Sequence, residues 1–443
     1  MSFFKKYLFL VGGISYFFWI STLSASLKFD GEVTYQTRAK MNQENLEETN
    51  ENLHYLNADF YVENMFSRSS KAIVSFSSER STSTSNLMFE FPEAYYDNNF
   101  NQNSNLSVGR KLLHWSYLDE SWQLGYVNMR KHFSVAAPSQ VGLNIINYSY
   151  NFSPLTISLI GSYFYIPERY PSYEIKDGNL SLTSSSGREF WPKVLFESGK
   201  THDIYFEKNQ AELGDIVFKK TYGVNMEYEG NNNKINLFYM YKPENIYRVY
   251  GVTEVRHQDS YTSAKLGAEF FNHHVFGGDF RTSFLGLDLT TSSITVIPEE
   301  NPSINIDYDT NNVLREERNK NAYVQFGVHK EFKKALFKCN YIKEISGSSE
   351  EKKKGILPTP LAWKDAFNFI FEGSFSNKWK SLFDLKISRQ LNDSVLALET
   401  KYQLSKNFLL GLGLQVIYAE KNNSYWAPYR ENDMAFSSLM YNF

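Results

Sequence analysis

The chain has 443 residues, a net charge of −3 and 21% charged residues, so a sequence-independent affinity for nucleic acid is not favoured. Its single cysteine, Cys339, excludes an intramolecular disulfide, and no cysteine or histidine spacing near it suits a metal, which leaves a small buried or lipid-facing residue. Mean hydropathy is −0.44, a value typical of soluble proteins, yet Tyr (31) and Phe (36) are abundant and Pro (12) is scarce, a composition suited to strands.

Residues 1–26 read as a cleaved signal peptide. Lys5 and Lys6 precede an apolar run from Tyr7 to Ile20, and Ser21, Thr22, Ser24, Ala25 and Ser26 form a small-residue exit with cleavage expected after Ala25 or Ser26. The run falls short of the ~20 residues that span a bilayer, which argues against an uncleaved anchor. No cysteine follows it, so a lipid-anchored form is not indicated. Strand patterning begins at once, over Leu27 to Ala39, leaving no room for an N-terminal plug or a passenger domain.

Between Lys40 and Gln140 the alternation is weak. Within it, Gly109 to Trp122 is the densest group of functional-type side chains: Arg110, Lys111 and His114 with Asp119 and Glu120 could form a charged network or contact a sugar or anion. The favoured reading is a connection between strands, with Trp115 and Trp122 as anchors at the water boundary. Farther on, Tyr148 and Tyr150 lead through 151–154 into Ile157, Leu159 and the aromatic run Tyr163-Phe164-Tyr165. A long polar segment follows, Ile166 to Leu213, whose Arg188, Glu189 and Trp191 are candidates for a loop that folds inward as a constriction; a surface loop is the alternative.

Val224, Met226 and Tyr228 turn through Gly230 to Asn233 into Ile235, Leu237, Tyr239 and Tyr241. Leu266, Ala268 and Phe270 are expected to turn at Gly277-Gly278 into Phe280 and Phe284, with a bulge near Leu285 where the apolar phase shifts to Leu285, Leu287 and Leu289. His273 and His274, being adjacent, point to opposite faces of a strand and are poor joint metal ligands. Asp307 and Asp309 share a face and could help hold a cation, but a solvated acidic loop is the simpler reading, and no metal site is assigned. Val324, Phe326, Val328 and Phe332 turn at Lys333-Lys334 into Phe337, Cys339 and Tyr341, and Ser349 to Lys354 reads as a solvated loop tip.

The clearest stretch runs from Asp365 to Ala419, as four strands. Phe367, Phe369 and Phe371 oppose Asn368 and Glu372; Trp379, Phe383, Leu385 and Ile387 oppose Lys380, Asp384 and Lys386; Leu396, Leu398 and Tyr402 oppose Glu399 and Lys401; Phe408 to Tyr418 completes the set. Charges at mid-strand are very costly in hydrocarbon, so the polar face must line a wet or hydrogen-bonded lumen. Longer polar segments (Ile166 to Leu213, Lys242 to Ser260, Thr290 to Asn321, Ser346 to Lys364, Glu420 to Asp433) alternate with the short turns.

The chain ends on Phe436 to Phe443, with Leu439, Tyr441 and Phe443 on one face. In this ending the chain resembles the outer-membrane β-barrels of Gram-negative bacteria, whose last strand is read by the barrel-assembly machinery. The resemblance implies an all-β fold, a transmembrane antiparallel up-and-down β-barrel with short periplasmic turns and long extracellular loops, over a single domain 27–443. About 19 strand candidates and an even parity give about 18 strands, within 16 to 20. Phe443 should close the barrel by pairing the last strand with Leu27 to Ala39.

A barrel of that size implies an aqueous lumen and hence a porin-like channel for small hydrophilic solutes. Lys265, Glu269, Glu331, Glu372, Lys380, Asp384, Lys386, Glu399 and Lys401 are the expected pore-lining residues. The rival is a structural or adhesive barrel with a closed lumen whose loops bind a partner; a barrel enzyme of phospholipase or omptin-like type is the third reading. With no nucleophile-elbow pattern and no phosphate-binding loop, no catalytic residue and no cofactor are assigned. Outer-membrane lipid and lipopolysaccharide are the expected surroundings, and an oligomer is compatible with the sequence.

Overall fold

The computed structural model describes residues 26–40, 53–67, 69–81, 87–131, 139–166, 173–176, 179–182, 194–197, 200–208, 214, 217–245, 248–256, 261–299, 312–317, 319–346, 356–358, 362–421, 424–430 and 433–443. The signal peptide, Asp307, Asp309 and the Ser349 to Lys354 tip lie outside the described residues.

Eighteen strands hydrogen-bond into one sheet. In chain order they are β1 (Ser26–Lys40), β2 (Leu53–Met65), β3 (Ser70–Ser81), β4 (Leu87–Asn99), β5 (Ser104–Lys111), β6 (Leu143–Asn151), β7 (Leu155–Ser162), β8 (Thr221–Glu229) and β9 (Asn233–Pro243). The second half comprises β10 (Asn272–Phe284), β11 (Leu287–Pro298), β12 (Asn321–Phe332), β13 (Ala335–Glu344), β14 (Asp365–Ser374), β15 (Trp379–Ser388), β16 (Ser394–Gln403), β17 (Phe408–Tyr418) and β18 (Met434–Asn442). Each is antiparallel to its sequence neighbours, and β18 pairs with β1 from Glu32↔Asn442 to Lys40↔Met434, so the barrel is closed, as expected.

Alternation assigns the faces. Leu159, Leu237, Phe326 and Leu412 are each more than half exposed and point outward, as do Leu439, Tyr441 and Phe443. An exposed apolar belt of this extent, on a sheet with no free edge, is the surface of a membrane-spanning barrel. Cys339 belongs to it, paired across the strands with Val328 and Phe369. At the seam, the Phe443 N–H donates to the Gly31 carbonyl, and the Phe443 ring packs on Phe29 and Phe60 with centroids 5.4 and 5.9 Å away. Gly31 lies under that ring, where a Cβ would collide with it.

Tight turns lie at one rim, as at 100–103, 230–232 and 333–334, and long connections at the other, as at 112–142, 163–220 and 244–271. Parts of four long connections form a separate six-stranded sheet from Val194–Glu197, Lys200–Lys208, Tyr261–Glu269, Arg248–Arg256, Asn312–Glu317 and Ile356–Pro358.

Four details differ from the sequence reading. Leu266 and Ala268 lie in that second sheet rather than the barrel. Gly277-Gly278 is not a turn but the middle of β10, where the Phe238 and Leu237 side chains cover the two glycines and leave no space for a Cβ. The expected bulge near Leu285 is a two-residue turn, Leu285-Gly286, with φ of 52° and 72°, the left-handed pair that a right-twisted hairpin favours. The segment from Thr290 is strand, not loop: Thr, Ile and Val carry β11 as far as Pro298. Weak alternation before Gln140 also has a local cause, since the β3–β4 register shifts between Ser75 and Ser77, opposite the stretch containing Pro92.

Two measurements test this architecture. Phe443→Ala should lower barrel stability in lipid vesicles by about 1–2 kcal/mol, read from denaturant unfolding, because the ring is only partly buried against the seam. In the connection 389–393, burial pushes the Asp393 carboxyl up to about 6, against smaller opposing effects of Ser424 and Lys421. A raised folded-state pKa means that the charged carboxylate weakens the fold above pH 6. Asp393→Asn should therefore raise the Tm at pH 8, with the gain shrinking as pH falls through 6 and gone near pH 4.

Candidate functional site

The principal apolar core of this barrel is inside it. Ile145, Ile160, Phe238, Met240, Val275, Ile294, Val296, Tyr323 and Ile342 point inward from β6 to β13 and are buried. What covers them is the connection after β5: Leu113, Trp115, Leu118, Trp122, Val127 and Met129 are all 6% exposed or less. The residues expected to anchor at the water boundary, Trp115 and Trp122, are thus interior. Their neighbours in the lumen supply the apolar environment that the bilayer interface was expected to supply.

The segment has its own local order. Ser116 caps α1 (Tyr117–Trp122) by accepting the Asp119 N–H at 3.2 Å, and Gln123 ends the helix in a left-handed conformation. Asp119 is fully buried and accepts the Tyr126 and Val127 N–H groups at 2.8 and 3.0 Å, which closes the return of the chain. Burial nonetheless raises its pKa, those two hydrogen bonds opposing the rise. The Asn128 side chain bonds both the Leu113 N–H and the Leu113 carbonyl, joining the two arms. Met129–Lys131 then pairs with Ser139–Val141.

Inward polar side chains pin this unit along the wall. Asn236 of β9 donates to the Trp115 carbonyl at 2.5 Å, and Asp279 of β10 accepts the Tyr117 N–H at 2.9 Å. The Tyr117 hydroxyl meets His329 Nε2 of β12 at 2.6 Å, while the Arg281 guanidinium stands 4.4 Å over the Tyr117 ring. Beyond, Asn245 donates to the Gly125 and Asn128 carbonyls, and Trp122 packs on Trp363 at 5.8 Å.

The opposite wall is different. On β15 and β16, Lys386 pairs with Asp384 at 2.8 Å and Lys401 with Glu399 at 3.4 Å; Lys380, Glu372 and Glu331 lie on the same inner face toward the turn rim. On β2 to β5, Glu63 pairs with Lys71, Glu90 with Arg110 and Asp97 with Lys111, and Asp59 is exposed. Seven of the nine expected pore-lining residues thus sit on the inner face. Lys265 and Glu269 do not: they lie on Tyr261–Glu269 of the second sheet, outside the barrel wall. The constriction candidates Arg188, Glu189 and Trp191 fall outside the described residues.

The charged group around Gly109 divides. Arg110 and Lys111 brace the base of the inward segment against β4, His114 bonds Glu120 at 2.9 Å, and Asp119 serves the backbone. The Glu120 carboxylate raises the pKa of His114. His273 and His274 face opposite ways, and no cluster of three metal-ligating side chains occurs among the described residues. Sequence reasoning missed the pinning residues Asn236, Asn245, Asp279, Arg281 and His329. A usable signal was present: β9 and β11 carry large apolar residues on both faces, which a wet wall does not require.

The sequence matches no family model and no curated protein. Among solved structures it is similar to Acinetobacter baumannii OccAB3, with a TM-score of 0.50 and 9% identity over 95% of this chain and 99% of that one. The fold is that of the outer-membrane porins. Pseudomonas aeruginosa OccK2, solved in complex with glucuronate, scores 0.49 at 8% identity over 95% of this chain and 98% of that one. Acinetobacter baumannii OccAB2 scores 0.49 at 8% identity, with 95% and 98% covered.

The pins predict how the inward segment responds to mutation. Asn236→Ala and Asn245→Ala each remove hydrogen bonds worth about 1 kcal/mol to loop carbonyls. The double variant should exchange the amide hydrogens of residues 113–129 at least about tenfold faster, with the strands unchanged.

Proposed function

We propose that the chain is a passive outer-membrane channel for small hydrophilic solutes, delivered by its N-terminal signal peptide and recognised by the assembly machinery through the strand ending at Phe443. One observation carries the reading. The inward segment packs on β6 to β14, while the inner faces of β15, β16 and β1 to β4 keep partly exposed charges of both signs. Charged side chains half-open to the lumen keep their hydration only if water reaches them. Glu331, Glu372, Lys380, Asp384, Lys386, Glu399 and Lys401 would line that passage, with the 112–131 segment narrowing it. Outer-membrane lipid and lipopolysaccharide would surround the apolar belt.

A closed-lumen barrel that binds a partner through its loops is the second reading, favoured by the luminal core and by the sheet the loops share. Planar-bilayer recording separates the two: the channel gives discrete ohmic steps in potassium chloride, and the closed barrel gives none. Replacing Lys380 and Lys401 by Glu should shift the reversal potential in a salt gradient toward cations, raising the cation-to-anion permeability ratio about twofold. An unchanged ratio would remove these two residues from the path.

A further inference from the structure

The inner wall holds, near the turn rim, a cavity of about 320 Å³ where β8 to β12 meet, within the ~300–1,000 Å³ range of small-molecule sites. Its charged lining is Glu229, Lys234, Arg281 and Asp288; amides and hydroxyls of the β8–β9 turn and of β10 and β11 supply much of the rest. Lys234 is engaged by Glu227 at 2.6 Å, and Asp288 accepts the Ser283 hydroxyl at 2.5 Å. Arg281 has no ion-pair partner among the described residues, and its guanidinium is held over Tyr117 of the inward segment.

A further observation points to a ligand. Thr290, part of the lining, is 4% exposed, and its Oγ1 has no hydrogen-bond partner. Gly327 of β12 lies directly against it: a Cβ there would run into Thr290 Oγ1 and Asn340 Oδ1, so any other residue would displace the Thr290 hydroxyl. Unmet donors on Arg281 and Thr290 therefore line the same cavity as the acceptor carboxylates of Asp288 and Glu229. A simple anion would face those two carboxylates, and a simple cation would face Arg281. A hydroxyl group donates and accepts at once and meets neither repulsion.

We propose that this cavity binds a neutral polyhydroxylated solute of monosaccharide size, with hydroxyls bonded to Arg281, Thr290 and Asp288. The proposal rests on the channel reading, since a solute would reach this cavity through the same lumen, at its turn-rim end. Full-length protein refolded into planar bilayers is titrated with glucose in potassium chloride, and each variant's block is normalised to its own sugar-free current. Glucose should reduce the current saturably with a millimolar midpoint, raised about fivefold or more in Thr290→Val and in Gly327→Ala. Circular dichroism checks that both variants are folded. A current that glucose does not reduce saturably, a midpoint that neither variant moves, or block by inorganic phosphate or glycine at lower concentration than glucose each overturns the proposal. Should the protein pass no current, the channel reading fails by itself. Calorimetric titration of the detergent-solubilised protein then reads the cavity alone: glucose binding that Thr290→Val weakens supports it, and no binding overturns it.

Discussion

Hydrocarbon offers no partner to a peptide group, and that constraint governs this molecule. A sheet satisfies it only if its first and last strands meet. Here they meet through nine paired positions between β1 and β18, and the final N–H, that of Phe443, bonds to Gly31. The side chains reinforce the seam at the turn rim. Because Gly31 has no Cβ, the Phe443 ring can lie over the backbone of β1 and reach Phe29 and Phe60. The aromatic ending is therefore part of the closure itself.

Closure also decides what each face must be. The outer face is predominantly apolar; the inner face is not so constrained, and the chain uses it in two ways. Along β6 to β13 it carries Phe238, Met240, Val275 and Ile294, which bury against a segment of the same chain. Along β15, β16 and β1 to β5 it carries ion pairs. An apolar half and a charged half on one inner wall direct an apolar segment to one side and leave the other side to water.

That division explains what could be read in the sequence. From Asp365 to Ala419 the inner face is largely polar and the outer one aromatic, so period-two alternation is plain and the four strands could be placed. The order of turns and loops, the strand number and the closing pair follow from the same pattern. Where the inner face is apolar too, the contrast vanishes. Around β10 the in-strand glycines Gly277 and Gly278 then look like a turn, and on β11 the outward Thr291, Ser293 and Thr295 look like a loop. The destination of the Trp115 segment was hidden for another reason: tryptophan is equally at home at a membrane boundary and in a core, and only the long-range partners Phe238 and Trp363 decide between them. Lys265 and Glu269 were misplaced because a strand in an extra-membrane sheet alternates like one in a barrel.

Burial alone would hold the inward segment against the apolar half without fixing its position, since the hydrophobic effect is non-directional. Position comes from the polar pins. Asn236 and Asn245 donate to carbonyls near the start and end of the segment, and Asp279 accepts the N–H at the start of α1. Each partner is a backbone group, which cannot swing aside as a side chain can. The segment is thus located at two points: the paired Asn236 and Asp279 on β9 and β10, and Asn245 just beyond the end of β9. Moving it requires breaking buried hydrogen bonds together with apolar contacts, so the segment belongs to the wall as firmly as the strands it packs against.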